Sequence, residues 1–134
     1  MILESGLKII RPEQAHEVMQ VARSGKCPLY EIATGDGSGR EAFFDATRSV
    51  LPLDPPVVSS RSWNALSDSL WEGIYSSGPD REVILWSDAT IFFRETPGDF
   101  QVAMEVLADV AELLADESAT RGRTKEVCIY VGIR

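Results

Sequence analysis

Asn64, Ser67, Asp68 and Trp71 are the residues whose types and spacing invite chemistry. Stepped at the helical period they fall on one face of the stretch from Ser60 to Gly73, while Trp63, Leu66, Leu70 and Ile74 form an apolar stripe on another. The stripe is what a core requires. A carboxylate, an amide and a large aromatic on a different face are not. Together they can pair with a cation, exchange hydrogen bonds and bury an aromatic against a partner, which is recognition rather than bond-making. By position alone Asp68 would also pass for one more solvated helix carboxylate. Ser59 or Ser60 is placed to cap this helix, and Gly73 suits the left-handed residue that ends one.

Other residue types with chemical potential lack partners. The turn Gly35–Gly39 follows a strand pattern and precedes a helix pattern, the setting of a phosphate loop. Its glycine spacing matches neither the Walker nor the dinucleotide fingerprint, no Lys-Ser/Thr follows, and Asp36 would repel a phosphate. The turn reads instead as glycine where positive φ is needed. His16 is the single histidine and lies beside Glu13 and Glu17, so a triad or a histidine-based metal site has little to work with. Cys27 precedes Pro28 with no evident histidine partner, which leaves a cysteine nucleophile unsupported. Cys27 and Cys128 are the only cysteines; a zinc cluster is not spelled out, and a bridge between them would need an oxidising compartment. Cys128, inside an apolar run, reads as a buried free thiol. No cofactor or metal is implied, and the chain is not expected to be an enzyme.

With 134 residues the chain is expected to be one domain able to bury a substantial core. Its 21 acidic against 13 basic side chains give a net charge of −8, which disfavours nucleic acid and favours a basic protein partner. Solubility alone would explain the same charge. No basic start leads into an apolar segment, and no apolar run is long enough to span a bilayer, so a cytoplasmic location without a membrane role is expected.

The elements that must position the Asp68 face follow from periodicity and breakers. Met1–Arg11 suggests a short strand and Pro12–Ser24 a helix ended by Gly25. Leu29–Ala33 reads as a strand. Arg40–Leu51 reads as a helix that Pro52, Pro55 and Pro56 forbid from continuing, and Val57–Arg61 as the loop into the Trp63 helix. Glu82–Trp86 is a strand apolar at successive positions, as buried parallel strands are. Ser87 would cap a short helix, Asp88–Phe93. Thr96 would cap the longest helix, with Pro97 in its first turn and Asp99 near its positive end. Phe100, Ala103, Met104, Leu107, Val110, Ala111 and Leu114 keep the period there, with Glu105, Asp109, Glu112 and Asp116 opposite. A polar loop, Ser118–Lys125, leads to a last strand, Val127–Val131. Connections this long are crossovers, so the fold class is α/β: a small three-stranded parallel sheet packed by helices, with an extra N-terminal strand and helix.

The run Trp63-Asn-Ala-Leu-Ser-Asp-Ser-Leu70 resembles the second helix of barstar-like proteins, a family known for an intracellular inhibitor of a secreted ribonuclease. The family motif has an Asp-Ala-Leu core, a second acidic residue four positions after the first Asp, and a Leu two beyond that. Asn64 stands for the first Asp, Asp68 for the second, and Leu70 keeps its place. The resemblance spans 28–133 and leaves 1–26 as an extension. It implies a three-stranded parallel design and one-to-one binding to a basic secreted ribonuclease or toxin domain. In the family the acidic residue enters the nuclease active site and meets the basic groups that would hold the RNA phosphate.

Carried onto this chain, the resemblance makes Asp68 the central contact. Asn64, Ser67 and Trp71 would set shape and partner choice, with Ser60 in the acting loop Val57–Ser62 and Arg61 at the rim; Asp109 would roughly match a secondary acidic contact, and it also reads as part of a solvated face with Glu105 and Glu112. There are departures: Asn64 carries no charge, Ser67 replaces a tryptophan of the founding inhibitor, and Val57–Ser62 replaces an aromatic-rich loop. Trp71 is either a substitute anchor or a residue packed against the following loop. A barstar-fold module that docks through its N-terminal helix, with no nuclease target, is the competing expectation, to be separated by deleting Met1–Gly25. A small α/β enzyme would instead show a deep polar pocket, where the inhibitor reading expects a convex acidic face with an exposed aromatic.

Overall fold

The apolar runs become the two central strands of a parallel sheet in a computed structural model that describes residues 1–134. Its four strands are β1 (Gly6–Ile10), β2 (Leu29–Ile32), β3 (Arg81–Trp86) and β4 (Glu126–Gly132), in the order β1-β4-β3-β2. Ile84 lies opposite Ile129, and Tyr30 opposite Ile84. The sheet therefore has four strands where three were expected. The extra one is the N-terminal segment, which pairs with β4 from Gly6↔Cys128 to Ile10↔Gly132.

Helices α1 (Ala15–Ser24), α2 (Gly39–Val50), α3 (Trp63–Ser76), α4 (Thr90–Glu95), α5 (Pro97–Ala115) and α6 (Glu117–Thr120) complete the chain, with a 3-10 turn at Pro12–Gln14. The chain crosses from β1 at one edge to β2 at the other, then steps back through β3 to β4. Parallel crossovers are right-handed, so outward and return journeys must run over opposite faces. Alternation along the strands divides the side chains to match. Ile32, Ile84, Trp86, Val127, Ile129 and Val131 join the larger core under α2, α3 and α5. Val83, Leu85, Cys128 and Tyr130 join a smaller one under Ala15, Val18 and Ala22 of α1.

The N-terminal extension is thus half of the sheet's cover rather than an appendage. Deleting Met1–Gly25 would strip Val83, Leu85, Cys128 and Tyr130 bare, so it cannot separate docking from folding. The two thiols are free. Cys27 leads into β2 and Cys128 lies in β4, with β3 between, so their backbones are about 10 Å apart, beyond the roughly 7 Å reach of a disulfide.

Several local expectations are revised by tertiary contacts. Gly73 does not end α3, which runs on to Ser76; a Cβ at Gly73 would collide with the Pro52 carbonyl, so glycine lets the loop backbone cross the helix. Ser62, not Ser59 or Ser60, caps α3: its Oγ accepts from the Ala65 N–H at 3.0 Å. Asp88 rather than Ser87 holds the start of α4, accepting from the Thr90 N–H at 3.0 Å. Thr96 and Asp99 serve a different helix from their own. Thr96 Oγ1 accepts from the Gly39 N–H at 2.9 Å and Asp99 Oδ2 from the Arg40 N–H at 3.1 Å, so the start of α5 caps the start of α2. Within the expected polar loop, Glu117–Thr120 is a helical turn and Lys125 is buried.

Candidate partner-binding face

Helix α3 keeps the division read from its period. Leu66, Leu70 and Ile74 are fully buried, Trp63 rests against Phe43 and Phe44, and Asn64 and Asp68 are exposed. Neither the Asn64 nor the Asp68 side chain has a hydrogen bond or ion pair within the chain, so an unpaired carboxylate and an unpaired amide face outward one helical turn apart. Ser67 is half-buried beside them. Trp71 is also half-buried, stacked on Tyr75 at 4.7 Å with 17° between the rings. Tyr75 in turn donates to the Thr120 carbonyl at 2.8 Å and lies under Arg123. One face of Trp71 is therefore already occupied, and the most exposed apolar side chain beside the helix is Val58, at 91%.

The loop before α3 has an unusual means of support. Between Pro55 and Arg61 no backbone group bonds another backbone group. The segment is held by side chains instead. Arg48 donates to the Val57 carbonyl at 3.3 Å and to Ser60 Oγ at 3.0 Å, while Arg40 donates to the Arg61 carbonyl at 3.3 Å. Ser69 Oγ donates to the Pro55 carbonyl, and the Arg61 N–H donates to Ser59 Oγ at 3.2 Å. At its base the Asp54 N–H reaches the Ser69 carbonyl at 3.0 Å. Ser60 is half-buried and engaged, whereas the Arg61 side chain is exposed without a partner. Asp109 is exposed on α5, the helix along which α3 packs, and is not bonded to the α3 residues.

Sequence reasoning missed both arginines and a second polar cluster at the far end of α3. Lys125 Nζ and Glu82 Oε2 pair at 3.1 Å with side chains 6% and 1% exposed. The ammonium also donates to the Ile74 carbonyl, to the Ser77 carbonyl at 2.9 Å and to Ser77 Oγ at 2.8 Å. Glu82 accepts from Tyr30 Oη at 2.8 Å and from Ser77 Oγ at 2.8 Å. Burial, then the hydrogen bond and charge of Glu82, push the Tyr30 phenol up to about 12. Asp88 and Cys128 are displaced as well. Hydrogen bonding to Thr90 holds the Asp88 carboxyl below its usual range, and burial raises the Cys128 thiol. A charged residue opening the otherwise apolar run 82–86 was the available signal for this cluster.

The hollow beside it, about 420 Å³, is lined by Ser77, Gly78, Asp80, Arg123, Thr124 and Glu126 among others, and every buried polar side-chain atom nearby already has a partner. No group of His, Cys, Asp and Glu side chains is placed to hold a metal ion, and no helix is long and apolar enough to cross a membrane.

A family model described as Barstar (barnase inhibitor) matches residues 28–130. The chain belongs to the barstar family. No curated protein and no solved structure matches it significantly. The family match opens at Pro28, immediately before β2, and closes within β4. The barstar part therefore holds three of the strands, β2, β3 and β4, together with α2 to α6, and β1 and α1 are joined to its open edge and second face. The family is one of protein inhibitors, and the match takes in α3, the helix that carries Asp68.

Proposed function

We propose that this barstar-family protein binds, one-to-one, the active site of a basic ribonuclease or related toxin and blocks it in the cytoplasm. The observation that carries the reading is the unpaired, exposed carboxylate of Asp68 on a rigid helix, beside a loop fixed by side chains. A basic cleft built for phosphate offers donors and positive potential. A carboxylate already fixed in position meets them with little ordering cost. Asn64 contributes amide hydrogen bonds without charge. Ser67 and the half-buried Trp71 shape the contact, Ser60 and Arg61 form its rim, and Asp109 adds to the negative field that steers a basic partner.

The direct test uses wild type and Asp68→Ala as baits on an extract of the native organism, read by mass spectrometry. A basic nuclease retained by wild type and lost with the variant is the expected result. With the purified pair, Asp68→Ala should weaken binding by about 2 kcal/mol or more, roughly thirty-fold. Equal retention of one partner by both baits would move the binding site elsewhere and favour an interaction module with no nuclease target.

A further inference from the structure

We infer that Arg48 is the positioning residue of the partner-binding face: it holds residues 57–61 in the conformation that docks. The inference rests on the reading of this face as a partner surface. Arg48 lies on α2, outside the motif helix, and its side chain is a quarter exposed. Its guanidinium serves four neighbours. It bonds the Val57 carbonyl at 3.3 Å and Ser60 Oγ at 3.0 Å, pairs with Asp45 at 2.6 Å, and sits 5.9 Å from the centroid of the Phe44 ring. Phe44 is fully buried and meets Trp63, the first residue of α3, edge to face at 5.2 Å. Arg48 thus ties the loop to the point where the motif helix begins.

Arg48 reaches the middle of the loop, whereas Arg40 and Ser69 hold only its ends, at Arg61 and Pro55. With no backbone-to-backbone bond between Pro55 and Arg61, the segment's shape depends on side chains, and Arg48 supplies contacts at both Val57 and Ser60. The planar fork of five donors is what allows one side chain to serve a carbonyl, a hydroxyl and a carboxylate together; a lysine ammonium cannot span them. Charge is not its contribution. A cation beside a face that meets a basic partner opposes attraction, and here Asp45 neutralises it at close range. What remains is pre-organisation: a loop already ordered in the free protein does not have to be ordered on binding.

The experiment has two arms on the full chain. Backbone ¹⁵N order parameters of the free protein should be near rigid values, about 0.85, at Val58–Arg61 in wild type and fall below about 0.6 in Arg48→Met, with α3 unchanged. Met keeps the apolar stem over Phe44 and removes the donors. Equal order parameters in the two proteins would overturn the inference. In the second arm barnase is the probe, titrated with wild type, Arg48→Met and Arg48→Lys. Affinity should fall roughly ten-fold for Arg48→Met and not return in Arg48→Lys, which keeps the charge but not the fork. Full recovery with lysine would assign Arg48 a charge role and overturn positioning. If wild type does not bind barnase, that choice of target fails alone, and the order parameters still decide whether Arg48 holds the loop.

Discussion

At its C-terminal end α3 passes the Ile74 carbonyl to the buried ammonium of Lys125, which is paired with Glu82; at its N-terminal half it leaves Asp68 and Asn64 with no partner at all. The two ends carry comparable polar groups and use them oppositely. The far end is closed: Tyr30, Ser77, Glu82 and Lys125 satisfy one another, and no buried polar side-chain atom is left over. Its charges are consumed in holding helix to sheet. The near end is open: its loop is braced from α2, so the outward groups stay unpaired yet fixed. Charge spent on the fold is unavailable to a partner, and charge left exposed on a braced surface is available at low ordering cost.

That contrast can be broken in graded ways. Lys125→Met should have the largest effect, about 3–5 kcal/mol of lost stability in urea denaturation, because Glu82 would be left buried and unpaired. Adding Glu82→Leu should return most of the loss, and a Lys125→Met cost under about 1 kcal/mol would mean that the far end is not closed. Gly73→Ala comes next, at roughly 1–3 kcal/mol, since its methyl must displace the Pro52 carbonyl; chemical-shift changes in 52–62 would show the loop moving with it. Ser62→Ala removes the cap of α3 and should cost about 1 kcal/mol by the same denaturation assay.

A smaller effect is specific to alkaline pH. The Tyr30 phenol, displaced from 10.0 to about 12, keeps its proton in the folded state after the unfolded chain has lost it. Its stabilisation is whole below pH 10 and is lost as pH rises toward 12. After discounting for its partial exposure this amounts to less than about 1 kcal/mol. Denaturation midpoints at pH 9 and pH 11 should separate less in Tyr30→Phe than in wild type. Asp68→Ala should change stability least, within about 0.5 kcal/mol, while still removing the binding described above. A large loss of stability there would show that Asp68 belongs to the fold and would end the contrast.

What could be read in the sequence follows the range of the forces involved. The Trp63, Leu66, Leu70 and Ile74 stripe, the apolar β3 run and the long α5 period are local patterns, and each became the element expected. The run on α3 that resembled the family was local too, and a family model matches the chain over 28–130. Caps were read less well: Ser62 took the role given to Ser59 or Ser60, and at α4 the cap position falls on Ala89 while Asp88, not Ser87, accepts from the first N–H, because one residue of helix phase decides which oxygen reaches an N–H. Thr96 and Asp99 look like a cap for α5 until the fold brings α2 alongside.

By itself the chain determined an α/β fold with parallel strands, the face of α3 that points out, and membership of the barstar family, because apolar period, proline breaks and a short motif are written within a few residues of each other. Only the tertiary structure decided that the N-terminal segment is a fourth strand with a helix over the second face, that Gly73 exists for Pro52, that Lys125 and Glu82 close one end of α3, and that Arg40 and Arg48 brace the other. Each of these joins residues distant in sequence through a side chain or a close backbone crossing, and local pattern does not encode what the fold will place across such a gap.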